Sequence, residues 1–287
     1  MATIVQRVAT RYVALSTILG SSESSDGPGG EGRMGDGDQD FDRFIGSFAG
    51  VDGGNPDADL WICGIEHGGA LEDLGTKLQP EPHPGAWTPE FRADHPDFYR
   101  WQYHQKVAKL LIALEALLSG DDANPDLSPH AYRPYMAEKL YVEGGRNFKL
   151  NLFPLASPYV RSDAWAQAYR SHPYLEDKST YYQRCREKRF PFFRQIRAQH
   201  APKVIIGTGV TFKNDFASAF GFDGQPDEFV LSTSDPVARR CFRYQEERAA
   251  LYVTPFLGGP HGLNSNALIT ELARVIAMSH PHLRLGS

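Results

Sequence analysis

The sequence predicts an α/β protein, with a parallel sheet covered on both faces by helices. Four short apolar runs carry the first part of that reading. They are Leu60–Cys63, Phe148–Leu155, Lys203–Ile206 and Leu251–Pro255, each bounded by Gly, Asn or Pro. Short continuous apolar runs of this kind read as strands buried on both faces. Segments of helical period lie between them, and strand–helix alternation is the signature of a parallel sheet. The third observation is where the chemically able residues fall. Glu66 and His67, then Asn151, then His261 with Asn264 each follow a different strand at its carboxyl end. In open α/β sheets ligands bind at those ends, so parallel strands would bring these side chains to one crevice.

Taken in order, residues 20–40 are Gly, Ser and acid with almost nothing apolar. Such a stretch cannot bury enough surface to offset its ordering entropy, so residues 1–40 are expected to be an extension with a disordered linker, and 41–287 a single domain. Phe41, Phe44, Ile45 and Phe48 share one helical face, and Gly53-Gly54-Asn55-Pro56 turns the chain into the first strand. That strand ends in Gly64-Ile65-Glu66-His67-Gly68-Gly69, a glycine frame around two titratable groups. Glycines there let a backbone approach a ligand closely. A carboxylate at this point could also simply cap the following turn or helix.

Thr76 to Pro96 reads as a long irregular loop, and such loops inside compact domains are more often functional than idle. Trp87 and Phe91 stand in it, able to stack on a flat ligand or to pack beneath the loop. Asp97 to Ser119 reads as a helix ended by Gly120. Asn151 interrupts the second apolar strand just before Pro154; a buried amide needs partners, as a ligand reader or as a structural bracket. Tyr181 to Gln199 is a basic helix holding Arg184, Arg186, Lys188, Arg189, Arg194 and Arg197. It is either a solvated charged face or a phosphate-contacting surface. The third strand runs into Gly207-Thr208-Gly209, but Phe212 stands at the third glycine of a dinucleotide fingerprint, so that motif fails. Val210–Phe220 follows as a helix. Phe229–Leu231 and Cys241–Tyr244 are short strand candidates, and Asn266–Met278 is a final helix.

Composition narrows the function. The 287 residues are 41% hydrophobic and 23% charged, ordinary for a soluble domain, with a net charge of −5. Residues 1–40 carry 3 basic and 6 acidic side chains and the rest 27 against 29; near balance neither requires nor forbids a nucleic-acid face. No apolar run approaches the roughly 18 residues of a membrane span. Cys63, Cys185 and Cys241 form no CxxC, and the ten histidines no HExxH. Chemistry without metal or cofactor, in a cytoplasmic monomer, is therefore expected. No GxSxG occurs, which argues against a serine hydrolase.

With these residues in place, the chain resembles the uracil-DNA glycosylase superfamily. Gly64-Ile65-Glu66-His67-Gly68 is similar to its first strand-to-loop motif, Asn151-Leu152-Phe153-Pro154 to its second, and Thr254 to Asn264 to its late His-Pro-Ser-like loop. The resemblance implies a three-layer α/β/α sandwich with a central four-stranded parallel sheet. It implies a monofunctional DNA glycosylase that flips a pyrimidine out of DNA and hydrolyses its N-glycosidic bond, in repair or in defence against modified phage DNA. Glu66 stands where the family's acid orients water and opposes positive charge on the sugar. Asn151 stands where a side-chain amide reads the base edge, and His261 where a donor meets the departing base. Strict counting instead puts Thr254-Pro255-Phe256 at His-Pro-Ser. Gly68 replaces the tyrosine that walls off the pyrimidine 5-position in the most selective relatives, which implies room for a C5 substituent. His67 and Asn264 flank these motifs, and Trp87, Phe91 and Phe153 are candidates to stack on the base. Arg186, Lys188 and Arg189 are candidate phosphate contacts. A nucleoside or nucleotide hydrolase would share Glu66 and Asn151 but need no basic helix, and a non-catalytic nucleic-acid-binding module would need no carboxylate.

Overall fold

The computed structural model describes residues 36–68, 78–120, 124–157, 165, 169, 175, 177–233 and 238–285. Its strands are β1 (Gly53–Gly54), β2 (Leu60–Gly64), β3 (Asn147–Asn151), β4 (Val204–Thr208), β5 (Asp227–Leu231), β6 (Arg239–Gln245) and β7 (Ala250–Thr254). Its helices are α1 (Asp36–Ile45), α2 (Pro89–Asp94), α3 (Gln102–Leu118), α4 (Pro129–Glu138), α5 (Lys178–His200), α6 (Lys213–Phe220) and α7 (Asn266–Ser279).

One sheet runs in the order β1-β3-β2-β4-β7-β6-β5. β2 pairs parallel with β3 and β4, and β4 pairs parallel with β7. β1 is antiparallel to β3 at one edge, while at the other edge β6 is antiparallel to β7 and β5 antiparallel to β6. The α/β class holds, but the expected sheet of four parallel strands is corrected to a mixed sheet of seven. In sequence Gly53-Gly54 reads as a turn, because two glycines carry no periodicity. Both have positive φ, and a Cβ on Gly53 would lie 1.9 Å from the Gly85 carbonyl oxygen, so this edge strand needs glycine.

Side-chain alternation explains why the sheet is covered twice. Trp61, Cys63, Ile205, Leu251 and Val253 enter one core, with Phe44, Phe190, Phe193 and Phe216 from α1, α5 and α6. Leu60, Ile62, Val204, Ile206 and Tyr252 enter the other, with Leu110, Leu114, Met136, Leu268 and Leu272 from α3, α4 and α7. β3 breaks the rule. Phe148 and Leu150 join the first core, whereas the alternate positions Asn147, Lys149 and Asn151 are buried and polar.

Several expected bounds move. Positions 36–40, assigned to a linker, already belong to α1. A run of aspartates lacks apolar content but suits the positive end of a helix. The Thr76–Pro96 loop contains α2, capped by the Thr88 hydroxyl, which accepts from the Phe91 N–H. The short helix α4 starts with Pro129 in its first turn and contains Pro134, which hid its period. Among the described residues no helix is long and apolar enough to cross a membrane. Residues 1–35 of the expected extension lie outside the described residues.

Candidate functional site

The register aligns the strand ends. Gly64 pairs with Asn151, and Thr208 with Thr254. Beside these carboxyl ends opens a cavity of about 880 Å³, lined among others by Asp52, Glu66, Trp87, Tyr103, Lys149 and Asn151. That size falls within the range of small-molecule and cofactor sites.

Glu66 follows β2 and its side chain is only 5% exposed. Oε1 accepts from Lys178 Nζ at 2.8 Å and Oε2 from the Tyr182 hydroxyl at 3.1 Å. Lys178 Nζ also donates to Ser157 Oγ at 2.8 Å. Burial raises the Glu66 pKa above its ordinary 4.5, opposed by the hydrogen bonds and charge of Lys178. Among the described residues nothing lies within 4 Å of a Cβ placed on Gly68.

The floor is a buried polar network. Asp52 Oδ2 accepts from Lys149 Nζ and from Asn151 Nδ2, each at 3.0 Å. Lys149 Nζ donates further to Asn151 Oδ1 (2.6 Å) and to the Leu150 carbonyl (2.7 Å). Asn151 Nδ2 also donates to the Gly50 carbonyl at 3.0 Å. Both amide protons of Asn151 are thereby used, so it is a bracket that holds Asp52 and Lys149. Gly64 makes room for it, since a Cβ there would lie 2.5 Å from Asn151 Oδ1. Burial would raise the Asp52 pKa, but Lys149 and His104 outweigh it and hold it at about 2. Burial would lower that of Lys149, and Asp52 reverses this and raises it. His104 Nε2 lies 3.9 Å from Asp52 Oδ1, and its Nδ1 is 3.3 Å from the Tyr141 hydroxyl. Burial pulls His104 from 6.5 down to about 4, so it is neutral at pH 7.

One wall is aromatic. Trp87 stacks on Phe91 with ring centres 5.3 Å apart and meets Trp101 edge-on at 5.7 Å. Tyr103 leans on Phe256 at 5.4 Å, and its hydroxyl lies 3.1 Å from Thr208 Oγ1.

The cavity therefore gathers Glu66, His67, Gly68, Trp87, Phe91 and Asn151 from the sequence reading. It does not gather the rest. Phe153 is wholly buried in the core, stacked on Tyr182 at 3.9 Å, away from the lining. His261 and Asn264 are exposed and outside the lining, on a turn where the Asn264 carbonyl accepts from Lys106 Nζ. Thr254 is buried with its hydroxyl donating to the Pro255 carbonyl, while Phe256, two residues on, lines the cavity.

The basic helix is also corrected. Arg189 is fully buried, and its guanidinium donates to the carbonyls of Ile45, Ser47, Ala49 and Asn151. It cannot touch a phosphate. Arg186 is paired with Asp215 at 2.6 Å and Lys188 with Asp42 at 3.2 Å.

Asp52, His104, Tyr103 and Lys149 were missed. Lys149 did leave a signal, a charge alternating with Phe148 and Leu150 inside a strand. Asp52 left none, because one aspartate beside a glycine turn is commonplace. Among the described residues no group of three or more His, Cys, Asp or Glu is placed to hold a metal. No family model, curated protein or solved structure matches the chain.

Proposed function

We propose that the protein is a DNA glycosylase, hydrolysing the N-glycosidic bond of a uracil or of a damaged or C5-modified pyrimidine. The observation that carries this reading is a carboxylate, Glu66, sharing one cavity at the strand ends with an aromatic wall. A flat base suits the wall formed by Trp87, Phe91 and Trp101. Leaving-group departure makes the sugar oxocarbenium-like, and a fixed carboxylate in a water-poor site lowers that barrier. The parallel neighbours β3-β2-β4-β7 support the resemblance to the uracil-DNA glycosylase superfamily. The lack of any described neighbour within 4 Å of a Gly68 Cβ supports tolerance of a C5 substituent.

The test is base release from duplex and single-stranded DNA carrying uracil, thymine mismatches, or 5-hydroxymethyl- and glucosylated cytosine, read as alkali-labile abasic sites. Release by wild type that is lost in Glu66→Gln supports the proposal. No release from any substrate, with tight DNA binding retained, turns the reading to a binding module.

A second reading has its own observation. Arg189 is buried and Arg186 and Lys188 are already paired, which favours a nucleoside or nucleotide hydrolase over a DNA enzyme. Release from free nucleosides alone, with DNA binding unchanged in slope against salt in R186Q/K188Q, selects that reading.

A further inference from the structure

Among the carboxylates that line the cavity, Asp52, Glu66 and Glu81, the first two are not equivalent. Each oxygen of Glu66 already has a donor, from Lys178 and from Tyr182. In Asp52 both donors, Lys149 Nζ and Asn151 Nδ2, converge on Oδ2. Oδ1 takes no hydrogen bond among the described residues; it faces His104 Nε2 at 3.9 Å. The side chain is 18% exposed and lines the cavity. Lys149, itself one of the lining residues, has its ammonium tied to three acceptors, Oδ2, Asn151 Oδ1 and the Leu150 carbonyl, none of which is Oδ1 of Asp52.

We propose that Asp52 Oδ1 is the contact for positive charge on a ligand in this cavity, and that in the hydrolysis reading it faces the sugar ring as charge develops there. This deepens the proposed function and rests on it for the identity of the sugar. The step is a simple hydrolysis. The C1′–N bond breaks with its electron pair leaving on the base nitrogen, and a water oxygen bonds to C1′. The proton released by the water goes through solvent to the base. Asp52 takes no proton, because a carboxylate held this far down is a weak base. Its part is electrostatic, as a fixed anion whose partners pre-orient it. The electrostatic part given to Glu66 is thereby shared with Asp52, and Glu66 also orients the water. Two carboxylates with divided tasks are the usual way to break a glycosidic bond.

The probe is a hydroxymethyl-pyrrolidinol iminosugar, cationic at neutral pH, compared with its uncharged tetrahydrofuran counterpart. Binding is read by tryptophan fluorescence and calorimetry on wild type, D52N, E66Q and D52N/K149M. The double variant removes Lys149's charge as well, so that a folding failure from an unpaired buried ammonium does not mask the result. Base release is measured on the same proteins. Wild type is expected to prefer the cation at least tenfold, D52N and D52N/K149M to fall within twofold, and E66Q to keep the preference. Base release should fall at least 100-fold in D52N. An Asp52-dependent preference in a protein that releases no base upholds the charge contact and overturns only the hydrolysis reading. No preference in wild type overturns the inference. So does a preference unchanged in both Asp52 variants, or base release by D52N within threefold of wild type.

Discussion

Arg189 carries five N–H groups, and each ends on a backbone carbonyl of the α1–β1 connection or of Asn151. A buried guanidinium without those acceptors would be costly, and those carbonyls without it would be unsatisfied. Arg189→Met is therefore expected to lower unfolding free energy by about 3–5 kcal/mol in urea denaturation. Arg186→Gln, a partly exposed pair, should cost within about 1 kcal/mol. In sequence the two arginines look alike, three positions apart on one helix. Only the neighbours that α5 acquires on folding tell a brace from a surface charge. Phe153 is the same case. Phe153→Ala should lose about 3–5 kcal/mol of stability by opening a core void, and should leave nucleobase affinity, measured by calorimetry, within twofold.

At the scale of elements, β3 decides the site. Its odd and even residues serve opposite purposes, apolar toward one helical layer and polar toward the cavity floor. Gly64 on the neighbouring β2 is part of the same device. Gly64→Ala would press a methyl group onto Asn151 Oδ1 and within 3.2 Å of Lys149 Nζ. The expected loss is about 1–3 kcal/mol in thermal or chemical unfolding, because the bracket has no slack. Gly68→Ala meets nothing within 4 Å among the described residues and should change stability by less than about 0.5 kcal/mol. The four main strands and the long helices were legible because burial on one or both faces imposes a period. β1, α2 and α4 were not, being too short or too rich in Pro and Gly for a period to register.

Over the whole molecule, the polar network joins parts of the chain that are far apart. Asp52 comes from the turn before β1, Lys149 and Asn151 from β3, His104 from α3 and Tyr141 from the segment before β3. Its state should set the acid side of the stability curve. His104 titrates at about 4 when folded against 6.5 when free. As pH falls from about 6.5 to about 4 the unfolded chain takes up a proton that the folded one refuses. Stability is therefore full above 6.5 and should decline across that window by roughly 3 kcal/mol. Denaturation series at pH 7 and pH 4 would show that decline in wild type and its near absence in His104→Asn.

By itself the sequence determined the α/β class, the four central strands, the helices of clear period and the placing of Glu66, His67 and Asn151 at strand ends. Those follow from local rules, since a strand's alternation and the turn that closes it are written in neighbouring residues. The tertiary structure alone decided that Asn151 is a bracket, that Arg189 is a brace, that Phe153 is core, and that His261 stands outside the cavity. It alone brought Asp52 to Lys149, 97 positions away. The role of a polar side chain is set by which partners reach its donors and acceptors once water is excluded, and those partners come from distant parts of the chain.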